Sequence, residues 1–260
     1  MILDEIVAKR RTRLAAALAK TDRAEMKKRA LATPRPDANA VYQLFRDDGV
    51  HIIGEVKKAS PSKGLIAPDF DYQKIAKEYA QAGVTAISVL TEPDFFRGGL
   101  AYLEDITREV SVPVLRKDFI IDDYMIYQAR AAGARIILLI VAILTPQQVA
   151  DYLKLAHQLG LAALVEAHDA DEVKVALEAG AQMIGVNNRN LKDFTVAPDN
   201  CLRLREAVPA DKIFIAESGI KSAADIQLLK AAGVNGVLIG ETLMRAKNKV
   251  AKVKELKGES

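Results

Sequence analysis

The chain has 260 residues, half of them hydrophobic and 27% charged, with a net charge of only +3. That is enough to core one large α/β domain or two small ones, and it gives no electrostatic case for nucleic acid. A single cysteine, Cys201, excludes an internal disulfide framework, and His51, His157 and His168 are too scattered for a metal site.

The longest apolar run, Ile136 to Leu144, is strand-sized and well short of the roughly 20 residues of a membrane span. The start lacks the apolar core of a signal peptide, and Asp4 and Glu5 argue against a transit peptide, so a cytoplasmic protein with no membrane partner is expected. Leu3 to about Leu31 read as one or two polar helices, with Ile6, Leu14, Ala17 and Leu18 near helical spacing. The same stretch is rich in Lys and Arg (Lys9, Arg10, Arg11, Arg13, Lys27, Lys28, Arg29), read here as a solvated helix face rather than a partner's docking patch. Pro34 and Pro36 mark a break, and a short helix from Ala38 to Arg46 leads into the first strand.

That strand opens the stretch IIGEVKKASPSKG, residues 52–64. Alternate side chains of a strand share a face, so Ile53, Glu55 and Lys57 point the same way. Burying charges at the end of an apolar strand costs several kcal/mol each unless they are paired or used. A repeat follows. Helical segments ending in QAG (81–83), AAG (131–133), EAG (178–180) and AAG (231–233) run directly into AISVLTE, RIILLIVAIL, QMIGVNNR and NGVLIGE. Looser copies are Gly160 before AALVEAH, Val112-Pro113 before VLRKDF, and Ala210-Asp211 before KIFIAESG. The glycine suits a left-handed turn after the helix.

Apolar strands alternating with amphipathic helices mean βα units and a parallel sheet. Counting gives about eight strands, the period and length of a single α/β (β/α)8 TIM barrel over residues 1–260, with 1–47 as its N-terminal helical extension. The rival, an open doubly wound sheet, expects G-x-G-x-x-G after its first strand, where this chain has Ala59-Ser60-Pro61-Ser62-Lys63-Gly64.

A barrel places its site at the C-terminal ends of the strands. There the apolar runs are interrupted by Glu55 and Lys57 (strand one), Lys117 (three), Glu166 (five), Asn187 and Arg189 (six) and Glu217 (seven). One such charge is as readily a structural ion pair; several converging from different strands make a site. Strand seven ends in Glu217-Ser218-Gly219 and strand eight in Gly240-Glu241 before a helix, the region where barrels hold phosphate on backbone N–H groups.

The strings IIGEVKKASPSKG (52–64), ISVLTEPDFFRGG (87–99), VLRKDFIID (114–122), LVEAHD (164–169), IGVNNRNL (184–191), IAESGI (215–220) and LIGETLMR (238–245) resemble the indole-3-glycerol phosphate synthase family of tryptophan biosynthesis. The resemblance covers nearly the whole chain. It implies a carboxy-lyase that takes 1-(2-carboxyphenylamino)-1-deoxyribulose 5-phosphate, closes a ring and releases CO₂ and water, as a monomer and without metal or cofactor. In the family's terms Lys117 is the general acid, Glu166 the base and Lys57 the cation that recognises the carboxylate. Glu55 and Asn187 hold these groups and the sugar hydroxyls, and Glu217 orients its neighbours. Arg189, Ser218, Gly219, Gly240 and Glu241 fall on the phosphate side, and Leu90, Phe96, Phe119, Leu138 and Leu238 on the aromatic slot. Ser60 to Gly64 is expected to form a mobile loop closing over the substrate, while His168 is expected to be a solvent-facing loop residue. Two other readings stand beside this one: a phosphosugar barrel in which Lys117 or Lys57 forms a Schiff base, and a non-catalytic phosphate-binding barrel.

Overall fold

In the computed structural model, residues 2–190, 195–197 and 199–259 are described. Eight strands run parallel: β1 (His51–Val56), β2 (Ala86–Leu90), β3 (Val114–Lys117), β4 (Ile136–Ile140), β5 (Ala162–Ala167), β6 (Met183–Asn187), β7 (Ile213–Glu217) and β8 (Gly236–Ile239). Each pairs with its neighbours in chain order, and β1 pairs with β8 from His51↔Gly236 to Gly54↔Ile239, so the sheet closes into a barrel. The expected TIM barrel is the observed one.

Strand residues alternate between two apolar layers. Ile53, Leu115, Leu138, Leu164, Ile215 and Leu238 fill the barrel interior, while Ile52, Val114, Leu139, Val165 and Phe214 face outward. The outer layer is covered by helices that include α4 (Tyr72–Gln81), α5 (Leu100–Glu109), α6 (Asp123–Ala131), α7 (Pro146–Gln158) and α8 (Ala170–Glu178). Burial on both faces is why the strands read as continuous apolar runs. The helices start on side-chain caps, for example Asp71, Asp122, Thr145 and Asp169, which accept otherwise orphaned backbone N–H groups. The glycines of the repeat adopt positive φ, from +73° at Gly83 to +86° at Gly180, as the turn requires. At Gly160 there is a second reason: a Cβ would stand 2.1 Å from the Pro36 carbonyl oxygen, so the N-terminal segment packs onto bare backbone.

Strand β4 stops earlier than the apolar run that contains it. Val141–Ile143 turn into a short 3₁₀ segment, with Val141 and Leu144 packed in the outer layer. Hydrophobicity alone does not mark that boundary, because the run stays apolar on both sides of it.

Ahead of β1 lie α1 (Ile2–Lys20), α2 (Arg23–Ala32) and α3 (Ala38–Leu44). The break between the first two falls at Asp22, whose side chain accepts the Glu25 N–H at 2.8 Å. α3 ends two residues before the expected Arg46 because Phe45 turns in to be fully buried near the foot of the barrel, its ring 5.6 Å from that of His51. Tyr42 Oη accepts the Ala163 N–H at 3.0 Å and lies 3.0 Å from His157 Nε2.

The basic residues of α1 and α2 depart from expectation. Lys9, Arg11, Lys27 and Lys28 are exposed, but Arg10 is buried with Nε 3.1 Å from Asp118 Oδ1. Arg13 pairs with Asp94 at 2.7 Å and Arg23 with Asp122 at 2.7 Å. A buried guanidinium needs a carboxylate, and the loops after β2 and β3 supply these. The segment is therefore fastened to the barrel by ion pairs as well as by its apolar stripe. No helix among the described residues is long and apolar enough to cross a membrane.

Candidate active site

The inward face of the barrel is mostly apolar, apart from the buried Ser88 midway along β2, and its charged and amide side chains gather at the C-terminal ends of β1, β3, β5, β6 and β7. There Lys57 pairs with Glu55 at the end of β1. Across the barrel, Lys117 Nζ at the end of β3 lies 2.6 Å from Glu166 Oε2 of β5 and 3.3 Å from Glu217 Oε2 of β7. Asn187, the last residue of β6, donates from Nδ2 to Glu166 Oε1 at 3.1 Å. Its Oδ1 accepts from Ser218 Oγ and from the Arg189 N–H, both at 2.9 Å. Four strand ends are thereby joined in one hydrogen-bonded chain, with Lys117 at its centre.

Glu55, Glu166 and Glu217 are all buried, at 4%, 3% and 2% exposure, so their charges interact strongly. Burial pulls the Lys117 ammonium down, but Glu166, Glu217 and Glu55 outweigh it and hold the group above the ordinary lysine value. Burial pushes the Glu166 carboxyl up, yet the charge and hydrogen bond of Lys117, with the Asn187 bond, bring it below its usual value. Glu217 goes the other way. Burial raises it to about 8, with the negative charges of Glu166 and Glu55 adding to the effect and Lys117 only partly opposing it. The site therefore sets a protonated lysine beside a Glu166 that ionises easily and a Glu217 that holds its proton more firmly than an ordinary carboxyl.

Space for these carboxylates comes from missing side chains. At Gly240, which follows β8, a Cβ would lie 2.0 Å from Glu55 Oε2 and 2.8 Å from Lys57 Nζ. Any larger residue would push the pair off its seat. Ser218 has φ +69° and Gly219 φ +85°, so the chain turns sharply after β7; the strain at Ser218 accompanies its bond to Asn187.

Together these groups line a cavity of about 620 Å³ at the C-terminal mouth of the barrel. Leu90, Phe96, Phe119, Leu138 and Leu238 form an apolar wall, with the Phe96 and Phe119 rings 6.0 Å apart at 39°. Facing them are Ser60, Arg189, Ser218, Gly219, Gly240 and Glu241. Every site residue expected from the sequence lines this one cavity. Leu191, the last residue of the string IGVNNRNL, lies outside the described residues.

Some features were not foreseen. Lys63, Lys221 and Arg245 also line the cavity on its Ser218–Glu241 side; Lys63 and Arg245 fall inside strings already singled out and Lys221 directly follows one, which was the available signal. The 60–64 loop folds back as a small antiparallel hairpin pairing Ala59–Ser60 with Gly64–Leu65, and Lys63 Nζ sits 3.7 Å from Glu241 Oε1. His168 is not the solvent-facing residue expected. It is half-buried, Nδ1 lies 3.0 Å from the Asn187 carbonyl oxygen, and its N–H donates to Glu172 at 2.7 Å, so it braces β5 against β6. That role follows from side-by-side strand ends, which spacing along the chain does not display.

The indole-3-glycerol phosphate synthase family model matches residues 3–256. An indole-3-glycerol phosphate synthase of Lacticaseibacillus paracasei is 55% identical over 249 residues, covering 96% of each chain. One of Leuconostoc mesenteroides is 49% identical over the full length of both. Among solved structures, a 3-hexulose-6-phosphate synthase aligns with TM-score 0.65 and 17% identity over 80% of this chain and 99% of its own, a likeness of fold alone. With the barrel, its polar rim and the match along almost all of its length, the chain belongs to the indole-3-glycerol phosphate synthase family.

Proposed function

We propose that this cavity closes the indole ring of 1-(2-carboxyphenylamino)-1-deoxyribulose 5-phosphate, with Lys117 as acid, Glu166 as base and Lys57 as the anchor of the substrate carboxylate. The reaction is the carboxy-lyase step of tryptophan biosynthesis that yields indole-3-glycerol phosphate. The observation that carries the residue roles is Lys117 held between Glu166 and Glu217 at 2.6 and 3.3 Å.

The ring carbon bearing the carboxylate attacks the ketone, and the forming alkoxide needs a proton as it develops. Lys117 is charged and faces the cavity, so it donates to that oxygen. CO₂ then leaves, its bonding electrons restoring the aromatic ring. Lys117, reprotonated from solvent, gives a second proton as the new hydroxyl departs as water, while Glu166 takes the proton lost from the adjacent carbon. Lys57, paired with Glu55, holds the carboxylate until it is expelled. Asn187 keeps Glu166 in place through its 3.1 Å bond, and Glu217 orients Lys117 from the other side.

The apolar wall takes the aryl ring. Arg189, Ser218, Gly219, Gly240, the Glu241 N–H and the nearby Lys63, Lys221 and Arg245 form the phosphate side, and Ser60 lies at the mouth. A lysine held charged by the glutamates around it, Glu166 foremost, is a poor amine nucleophile, which favours acid catalysis over the Schiff-base reading. The monomer stays the expected working unit, and the single cysteine fits a cytoplasmic location.

The test is turnover. Purified protein given the carboxyphenylamino ribulose phosphate, with no added metal or cofactor, is expected to develop indole fluorescence; a flat trace with authentic substrate overturns the proposal.

A further inference from the structure

The loop after β2 contains a buried carboxylate to which the proposed chemistry gives no part. Glu92 is fully buried, and backbone donors take up its oxygens: the Asp94 N–H reaches Oε1 at 2.9 Å, while the Phe95 and Phe96 N–H groups reach Oε2 at 2.7 and 3.0 Å. Hydrogen bonds to a carboxylate are roughly twice as strong as neutral ones, so the chain is wound tightly about this side chain.

The far end of the turn is equally constrained. The Glu92 carbonyl accepts the Gly98 N–H at 2.8 Å, and the Leu90 carbonyl accepts that of Gly99 at 3.3 Å. A Cβ on Gly98 would lie 2.3 Å from the Leu90 carbonyl oxygen, and Arg97 sits at φ +52°, a region most side chains avoid. Strain of this kind persists only where the surroundings over-determine it.

What the turn presents to the cavity is Phe96, tilted against Phe119 on the apolar wall. Desolvating a carboxylate is expensive, so a turn needing only to be closed has cheaper solutions. This one fixes the backbone of a single wall residue.

We propose that Glu92 is a positioning residue for the aryl half of the substrate: by holding the Phe96 N–H it sets the Phe96 ring against Phe119 and so fixes the width of the slot that takes the carboxyphenyl ring. This rests on the proposed function, and it assigns the slot's shape to a residue with no contact to the ligand.

Two unreactive probes separate the halves of the site. One is the substrate with its ketone reduced to an alcohol; the other is ribitol 5-phosphate, which keeps the phosphate and lacks the ring. Calorimetric titration of Glu92→Gln is expected to show about tenfold weaker binding of the ring-bearing probe and unchanged binding of ribitol 5-phosphate. In a Phe96→Ala background the same substitution should have no further effect, since Glu92 acts through that ring. Parallel weakening of both probes, no change in either, or a full Glu92 effect without Phe96 would each overturn the inference. If Glu92→Gln does not fold, Glu92→Asp, which keeps the carboxylate but withdraws it by one methylene, is judged by the same comparison. Wild-type protein that does not prefer the ring-bearing probe would remove the reading of the site, and this inference with it. A wild-type preference left intact in the Glu92 variants removes the inference alone.

Discussion

Gly185 of β6 lies directly against the carboxylate of Glu217 on β7: a Cβ at position 185 would stand 2.3 Å from Oε1 and 3.1 Å from Leu164 Cδ1. Neighbours on two strands leave no room for a methyl group. Gly185→Ala is therefore expected to displace Glu217 and with it Lys117. A misplacement on the order of 1 Å at a reacting group costs about 10²-fold in rate, so kcat should fall by roughly that factor. Steady-state kinetics beside a melting curve would check it; kcat within twofold of wild type would mean that Glu217 has slack.

Lys117→Met and Glu166→Gln remove the proposed acid and base. Each is expected to lower kcat by about 10²–10⁴, the range for general acid–base groups. Fluorescence-monitored turnover measures it, and wild-type-like turnover in either variant would show that its role is misassigned.

The raised Glu217 carboxyl makes stability depend on pH. Its folded value of about 8 lies above the ordinary 4.5, chiefly through burial. Such a group contributes stability that is fully present below pH 4.5 and lost as pH rises through 8. Glu217→Gln has no carboxyl to ionise and escapes that loss. The melting temperature of the variant minus that of wild type should therefore become more positive between about pH 5 and pH 8.5. A difference that stays flat across this window would show that Glu217 ionises like an exposed carboxyl.

Arg10 and Asp118 join α1 to the residue next to Lys117. Arg10→Met keeps the packing of the stem and removes the charge, leaving Arg116 at 3.1 Å as the cation paired with Asp118, which still accepts from Thr91 Oγ1 and the Phe119 N–H. Loss of a buried hydrogen bond to a charged group is expected to cost about 2 kcal/mol. Lys9→Met, one residue away and exposed, should change stability by less than about 0.5 kcal/mol. Urea denaturation of both variants makes the comparison, and equal effects would place Arg10 in solvent.

What the sequence displayed was periodicity. Apolar strands after glycine-ended helices define the barrel, and an alternating strand that ends in Glu55 or Lys117 necessarily aims that residue inward. Contacts between strands were hidden. Gly185 reads as an unremarked small residue inside IGVNN until the register sets Asn187 opposite Glu217. His168 takes its brace from the next strand in the same way. Arg10 did leave a local sign, since it continues the stripe of Leu3, Ile6 and Leu14 and so falls where an apolar residue belongs. Its partner is 108 positions further along the chain, and no local pattern points to it. The carboxylate of Glu92 is silent for the opposite reason: its partners are backbone N–H groups, which every residue nearby possesses.

The seam between β1 and β8 has a consequence for how the molecule comes into being. A ribosome delivers the first strand long before the last, and until then the growing sheet has two open apolar edges liable to stray pairing. The Glu55–Lys57 pair acquires the wall at Gly240 only when that seam shuts. Return of enzymatic turnover after dilution from denaturant thus reports the final joining event, whereas recovery of helical signal can precede it.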